Sequence, residues 1–207
     1  MKIICVSGAD GCGKSTLLTS LAEALPGASV VSIWDLMRDP RARPLYATKE
    51  QIQTFLGALE EESRALFMLS YLRAAMDRAA PGVVLVDAYW YKYLANELAL
   101  GAAPARLLPL TALFEKPMLT IHLELAPAIA AARKQGVFSA YECGLQTPTA
   151  ERFIEFQSRT GPLQRELVER DSRQVVRLDG AAPASAIFER ALACIHEALA
   201  SQNGVSA

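Results

Sequence analysis

With 207 residues, 52% of them hydrophobic and 21% charged, the chain has the makeup of one packed domain rather than of a disordered segment. Its formal net charge of -1 argues against wholesale binding of nucleic acid, which shows as a basic excess. No run of 18 uninterrupted apolar residues occurs, and the opening MKIICVSGAD lacks the long apolar stretch of a secretory leader, so no membrane partner is expected and the expected setting is cytoplasmic.

From the N-terminus, KIICVSG (Lys2 to Gly8) reads as a short buried strand that runs straight into GADGCGKST. Gly8, Gly13, Lys14 and Ser15 fit G-x-x-x-x-G-K-[ST] without a mismatch. The spacing has a mechanism. Glycines let the backbone curl, so that the N–H groups along Gly8, Ala9, Asp10, Gly11, Cys12, Gly13, Lys14, Ser15 and Thr16 can turn toward one anion, and the following helix adds its free N–H groups. Lys14 can reach the β- and γ-phosphates and the Ser15 hydroxyl can ligate Mg2+, so a nucleoside triphosphate with magnesium is the expected ligand. The motif alone names no reaction, because ATPases, GTPases and kinases share it.

A helix over Ser15 to Leu25, stopped by Pro26-Gly27, precedes a second strand, Ala28 to Trp34. Thr48 and Gln51 form a capping box that opens one long helix to about Ala80. Its stripe (Ile52, Phe55, Leu59, Leu66, Leu69, Met76) can face the core or pair two copies of the chain. Arg73 falls on that stripe, where a buried charge needs a partner: a structural carboxylate or a substrate phosphate. Val83 to Tyr89 is a third strand, and Asp87 near its end can hold Mg2+, bond an acceptor or cap the next helix. In DAYWYKYLANE the rings of Tyr89, Trp90, Tyr91 and Tyr93 suit a flat acceptor or a helix packed on the sheet, with Trp90, Tyr93, Leu94 and Glu97 on one face. Met118 to Leu125 and Gln174 to Gly180 are the last two strands, and a stripe of Ile187, Ala191, Ile195 and Leu199 marks the last helix, after which 201–207 should form a flexible tail. His122 and His196 read as packing or surface residues. The cysteines Cys5, Cys12, Cys143 and Cys194 read as reduced packing residues. Strands alternating with helices indicate a parallel sheet that binds its ligand beyond the carboxyl ends of its strands.

GADGCGKST resembles the Asp-Gly-x-Gly-Lys-Ser-Thr run of the thymidylate kinases, a family of P-loop nucleoside monophosphate kinases. Phe67 to Glu97 is similar to that family's block of an Arg-bearing helix, a strand and an Asp-Arg-Tyr motif. The resemblance runs over residues 2–200. It implies a three-layer α/β P-loop NTPase fold with a five-stranded parallel sheet and helices on both faces, as one domain (1–200) with a lid near 133–150. It implies a kinase that moves the γ-phosphoryl group of ATP, with Mg2+, to a nucleoside monophosphate as the small-molecule phosphate acceptor. Arg73 would contact the acceptor's monophosphate. Asp87 and Tyr89 would take the places of the motif's Asp and Tyr, while Ala88 replaces its Arg and Lys92 lies close by. Tyr93 and Glu97 would stand on the acceptor side. Asn96-Glu97 replaces a Tyr-Gln pair near the base, and a carboxylate there pairs poorly with the imide carbonyls of thymine but can accept from an amino group. The family places an Arg in the P-loop or the lid; Gly11 and Cys12 offer none, so Arg133 joins Lys14 and Asp87 as an expected catalytic group. The resemblance is compatible with a homodimer. Two other readings stay open: a kinase for a nucleoside or another small metabolite, and a nucleotide-binding regulatory module with little transferase activity.

Overall fold

Residues 1–38 and 48–203 are described by the computed structural model. Along β1 (Lys2–Gly8), Ile3 and Cys5 belong to one apolar cluster and Ile4 and Val6 to another, all four buried. Such alternation is what a strand covered on both faces requires, because successive side chains leave opposite sides. In chain order the other principal elements are α1 (Lys14–Ala24), β2 (Ser29–Val31), α2 (Lys49–Gly57), α3 (Glu61–Met76), β3 (Val83–Asp87), α4 (Tyr89–Leu100), α5 (Pro104–Leu107), β4 (Leu119–Glu124), α6 (Pro127–Arg133), α7 (Ala150–Asp171), β5 (Val175–Asp179) and α8 (Ala184–Asn203).

Among the described residues the strands form one five-stranded sheet, ordered β2-β3-β1-β4-β5, with every pair parallel. One face carries α3, α4 and α7, packed through Met68, Leu72, Leu94 and Leu167; the other carries α1 and α8, through Leu17, Leu21 and Ile195. A small third cluster (Ala130, Ala131, Cys143, Phe153) joins α6 and α7 to the segment between them. The expected three-layer α/β fold is therefore present. Because β1 and β3 are neighbours, with Val6 opposite Asp87, the two stretches GADGCGKST and DAYWYKY meet at one edge of the sheet.

The capping box is formed: Thr48 N donates to Gln51 Oε1 (3.1 Å) and Gln51 N to Thr48 Oγ1 (3.2 Å). Such a cap stabilises a helix start by about 1 kcal/mol. The single long helix expected from it is instead two, interrupted between Gly57 and Glu61. Arg64 supplies the reason. Its guanidinium donates to the carbonyl oxygens of Leu56 and Leu59 at the break, the former also accepting from the Leu59 N–H (3.2 Å). The apolar face of α3 is Ala65, Met68, Leu69, Leu72, Ala75 and Met76, so Leu69 and Met76 of the expected stripe face the core, as does Ile52 of α2, while Leu66 is exposed. β2 ends at Val31 and a 3-10 turn, Ile33–Arg38, replaces the rest of the expected strand. The tail expected from 201 is helical through Asn203; residues 204–207 lie outside the described residues. No helix among the described residues is long and apolar enough to cross a membrane.

Candidate active site

The loop from β1 to α1 is shaped by close approach. A Cβ on Gly8, whose φ is 139°, would stand 2.6 Å from the Leu123 carbonyl oxygen. One on Gly11 (φ 79°) would stand 3.0 Å from the Ala130 carbonyl oxygen and 3.2 Å from Lys134 Cγ, so the end of α6 rests directly on the loop. Lys14 folds back under it, and its Nζ donates to the carbonyl oxygens of Gly8 (3.0 Å) and Ala9 (2.7 Å). Burial disfavours this ammonium, but the Cys12 sulfur and the Asp10, Asp87 and Glu142 carboxylates outweigh burial and hold its pKa above the ordinary lysine value.

A cavity of about 410 Å3 opens in front of the loop, at the carboxyl end of the sheet. Its donor side is Asp10 to Thr16, with Lys134 resting over Gly11; its far side brings Trp34, Met68, Asp87, Ala88, Lys92 and Tyr93 together with Tyr141 and Glu142. Two ion pairs cross it: Lys92 Nζ stands 2.5 Å from Asp10 Oδ1, and Lys134 Nζ 3.0 Å from Glu142 Oε1. Burial pushes the Asp10 carboxyl up, yet Lys92, Lys14 and Lys134 outweigh it and hold Asp10 well below the usual carboxylate range. Asp87 Oδ1 is buried with no hydrogen-bond partner among the described residues. Asp87 and Ser15 together line both this cavity and the one adjoining it. An orphaned carboxylate oxygen beside a free hydroxyl suits a hard divalent cation, with phosphate oxygens and water completing its shell.

Behind the loop lies a second cavity of about 350 Å3, between Gly11, Thr16 and Leu17 on one side and Arg133, Ala182, Ile187 and Phe188 on the other. The two cavities share Gly11, Gly13 and Thr16, so the loop divides one cleft into two chambers.

No family model matches the chain. Individual relatives do. A thymidylate kinase of Xylella fastidiosa (strain M12) is 27% identical, with 95% of this chain and 88% of that protein covered. A probable thymidylate kinase of Pyrobaculum aerophilum is also 27% identical, over 69% of this chain and 75% of its own length. Among solved structures, thymidylate kinase from Candida albicans superposes with a TM-score of 0.68 at 17% identity, covering 95% of this chain and 91% of that one. Deoxyadenosine kinase from M. mycoides with bound dATP gives 0.62 at 11% identity, covering 95% and 100%. Over nearly its whole length the chain is similar to thymidylate kinases, and it shares the P-loop kinase fold. It is a phosphotransferase of the nucleoside monophosphate kinase type.

Within this kinase, the fold gathers Lys14, Ser15, Asp87 and Tyr93 around the front cavity. Three other residues expected on the acceptor side lie elsewhere. Arg73 is half exposed on the outside of α3, 2.9 Å from Asp77 Oδ1 and donating to the Leu113 carbonyl oxygen (2.7 Å); the buried face is centred on Ala65, Met68 and Leu72, which leaves Arg73 at its margin rather than as a buried charge facing the cleft. Tyr89 follows Ala88 in a left-handed turn (φ 65° and 44°), which sends its ring into the core against Tyr91 and Phe114, with its hydroxyl on the Glu115 carbonyl oxygen (2.8 Å). Glu97 is fully buried behind the cavity wall, with both oxygens on Arg64 Nε (2.9 and 3.0 Å) and the Tyr141 hydroxyl donating to Oε1 (3.2 Å). Burial raises the Glu97 carboxyl to about 7 against the opposing pull of Arg64 and Tyr141. Arg133 is also displaced: it lines the rear chamber and donates to the Gly180 carbonyl oxygen (2.9 Å), while the next residue, Lys134, turns into the front one.

Sequence reasoning missed Glu142, Tyr141, Trp34 and Met68 as cavity residues, and Arg64 as the buried cation of α3. A signal for Arg64 existed: it sits four residues before Met68 and eight before Leu72, on the face that is buried.

Proposed function

We propose that this kinase transfers the γ-phosphoryl group of ATP to a nucleoside monophosphate, with the triphosphate wrapped by Gly8 to Thr16. The observation that carries the reading is the single cleft in which a phosphate-binding loop, an orphaned Asp87 oxygen and two inward-turned lysines face one another. The adenine would occupy the rear chamber, against Leu17, Ile187 and Phe188, with the Arg133 guanidinium as a flat cationic wall. The phosphates would run along the loop's N–H groups into the front chamber, where Lys14 would leave the Gly8 and Ala9 carbonyls for the β- and γ-oxygens. Ser15 and Asp87 would hold Mg2+, which supplies charge neutralisation and orientation of the triphosphate when bound.

In the reaction, an oxygen of the acceptor's phosphate attacks the γ-phosphorus in line, and the bond to the β–γ bridging oxygen breaks as ADP leaves. The protein's work is positioning and electrostatics. Lys134, resting on Gly11 at the end of α6, takes the role expected of Arg133: it would follow the transferring group from the side opposite Lys14. Segment 134–149, tied down by Tyr141 to Glu97 and by Gln157 Nε2 to the Glu142 carbonyl oxygen (3.1 Å), would act as the lid that excludes water. Four free, buried cysteines accord with a reducing, ATP-rich cytoplasm.

Thymidylate is the first acceptor to test, since the relatives are thymidylate kinases. ADP release is measured with ATP and a panel of deoxynucleoside and ribonucleoside monophosphates, and with nucleosides. Acceptor-dependent release with a monophosphate, abolished in Lys14→Ala, is expected. Turnover confined to nucleosides, or ATP uptake without acceptor-dependent turnover, would refute the reading.

A further inference from the structure

We propose that Lys92 is the cation that receives the acceptor's phosphate, in place of the arginine that Ala88 does not supply. This deepens the kinase reading and rests on it.

Ala88 lines the front chamber and is 3% exposed, and its methyl group offers no donor. An acceptor bearing a phosphate dianion still has to be brought against a triphosphate, so a cation on the acceptor wall is needed to offset the repulsion. Lys14 stands under the loop and Lys134 over Gly11, both at the donor side. Lys92 alone of the three cavity lysines rises from α4, which also presents Tyr93 to the chamber.

Its posture is not that of a surface lysine, whose head group extends into water. Lys92 is drawn inward, 21% exposed, with its ammonium on an Asp10 carboxylate that is 13% exposed. Asp10 supplies an anionic oxygen at hydrogen-bond distance, the same demand that a phosphate oxygen makes. An ammonium has three donors, so Lys92 can keep Asp10 and still bind phosphate. Asp10 thereby aims the lysine along the boundary between the donor and acceptor ends. The charges agree: Lys14, Lys92 and Lys134 face Asp10, Asp87 and Glu142 within one cavity, so the protein groups balance and entering phosphates must recruit the lysines' remaining donors. The ligand class that this lysine selects is a phosphate monoester dianion rather than an unphosphorylated nucleoside.

The test is steady-state kinetics on wild type, Lys92→Ala, Lys92→Gln and the double variant Lys92→Ala with Ala88→Arg, varying ATP and the best monophosphate separately, with thermal melting of each to verify folding. Loss of a charge-assisted bond to phosphate should raise the monophosphate KM roughly 10- to 100-fold while the ATP KM stays within about twofold, and Ala88→Arg should recover most of that loss. An unchanged monophosphate KM in an active, folded Lys92 variant overturns the inference and leaves the kinase reading standing. Equal rises in both KM values overturn it as well, since Lys92 would then act by bracing the P-loop through Asp10. A wild type that phosphorylates nucleosides but no monophosphate overturns both.

Discussion

At the donor end of the cleft, the wall is one continuous stretch, Asp10 to Thr16, bent by glycines onto a helix start. At the acceptor end, Trp34, Met68, Tyr93 and Tyr141 come from four separate segments, and the ion pair that borders both ends, Asp10 to Lys92, joins residues 82 apart in sequence. A contiguous loop is specified by local backbone rules and tolerates drift elsewhere in the chain. An assembled wall depends on how helices rotate and where they break, so the orientation of α3 about its axis decides which of its arginines is buried. On α3 that exchange put Arg64 in the core and Arg73 on the surface.

The largest expected effect separates the two cations at the lid. Lys134→Ala should lower kcat on the order of 10^2- to 10^3-fold, because it removes a donor aimed at the transferring group. Arg133→Ala should leave kcat nearly unchanged and raise the ATP KM by less than about tenfold. The reverse pattern in steady-state assays would return the catalytic role to Arg133 and break the division of the cleft drawn above.

Comparable in size is the contrast between the two arginines of α3. Arg64→Ala removes the cation that pairs with the buried Glu97 carboxylate and a donor to the Leu59 carbonyl, and should cost about 3–5 kcal/mol in urea unfolding. Arg73→Ala, on an exposed pair, should stay within about 0.5 kcal/mol and leave acceptor kinetics intact. A large rise in acceptor KM for Arg73→Ala would restore it to the cleft.

The smallest effect concerns the sheet beneath both ends. Burial, with Arg165, Lys14 and Arg177 adding, lowers the His122 imidazole from 6.5 to about 4. Its folded pKa is depressed, so the unfolded chain binds more protons between those values. The associated stability is present above pH 6.5 and is lost as pH falls toward 4, by up to ~3 kcal/mol. Glu97, raised to about 7, slopes the other way, losing stability as pH rises from 4.5 toward 7. The quantity to read is therefore the difference between wild type and His122→Leu in urea unfolding at pH 7 and 4.5. A difference that does not change with pH would show that His122 titrates normally.

The P-loop, the parallel sheet and the capping box at Thr48 were legible in the sequence because each is set by neighbours within a few residues: glycine torsions, alternating burial along a strand, a side chain bonding an N–H three positions on. Asp87 was legible too, since a strand's end points at the ligand edge of a parallel sheet. Tertiary structure alone decided the fates of Arg73, Tyr89, Glu97 and Arg133. Residues 58–60 leave the helix where Arg64 can satisfy the freed carbonyls, and the left-handed pair Ala88-Tyr89 turns a ring into the core. The end of α6 presents Lys134 rather than its neighbour. Each outcome depends on a rotation of about 100° per residue about a helix, or on one backbone torsion, and only packing against partners distant in sequence selects among such states.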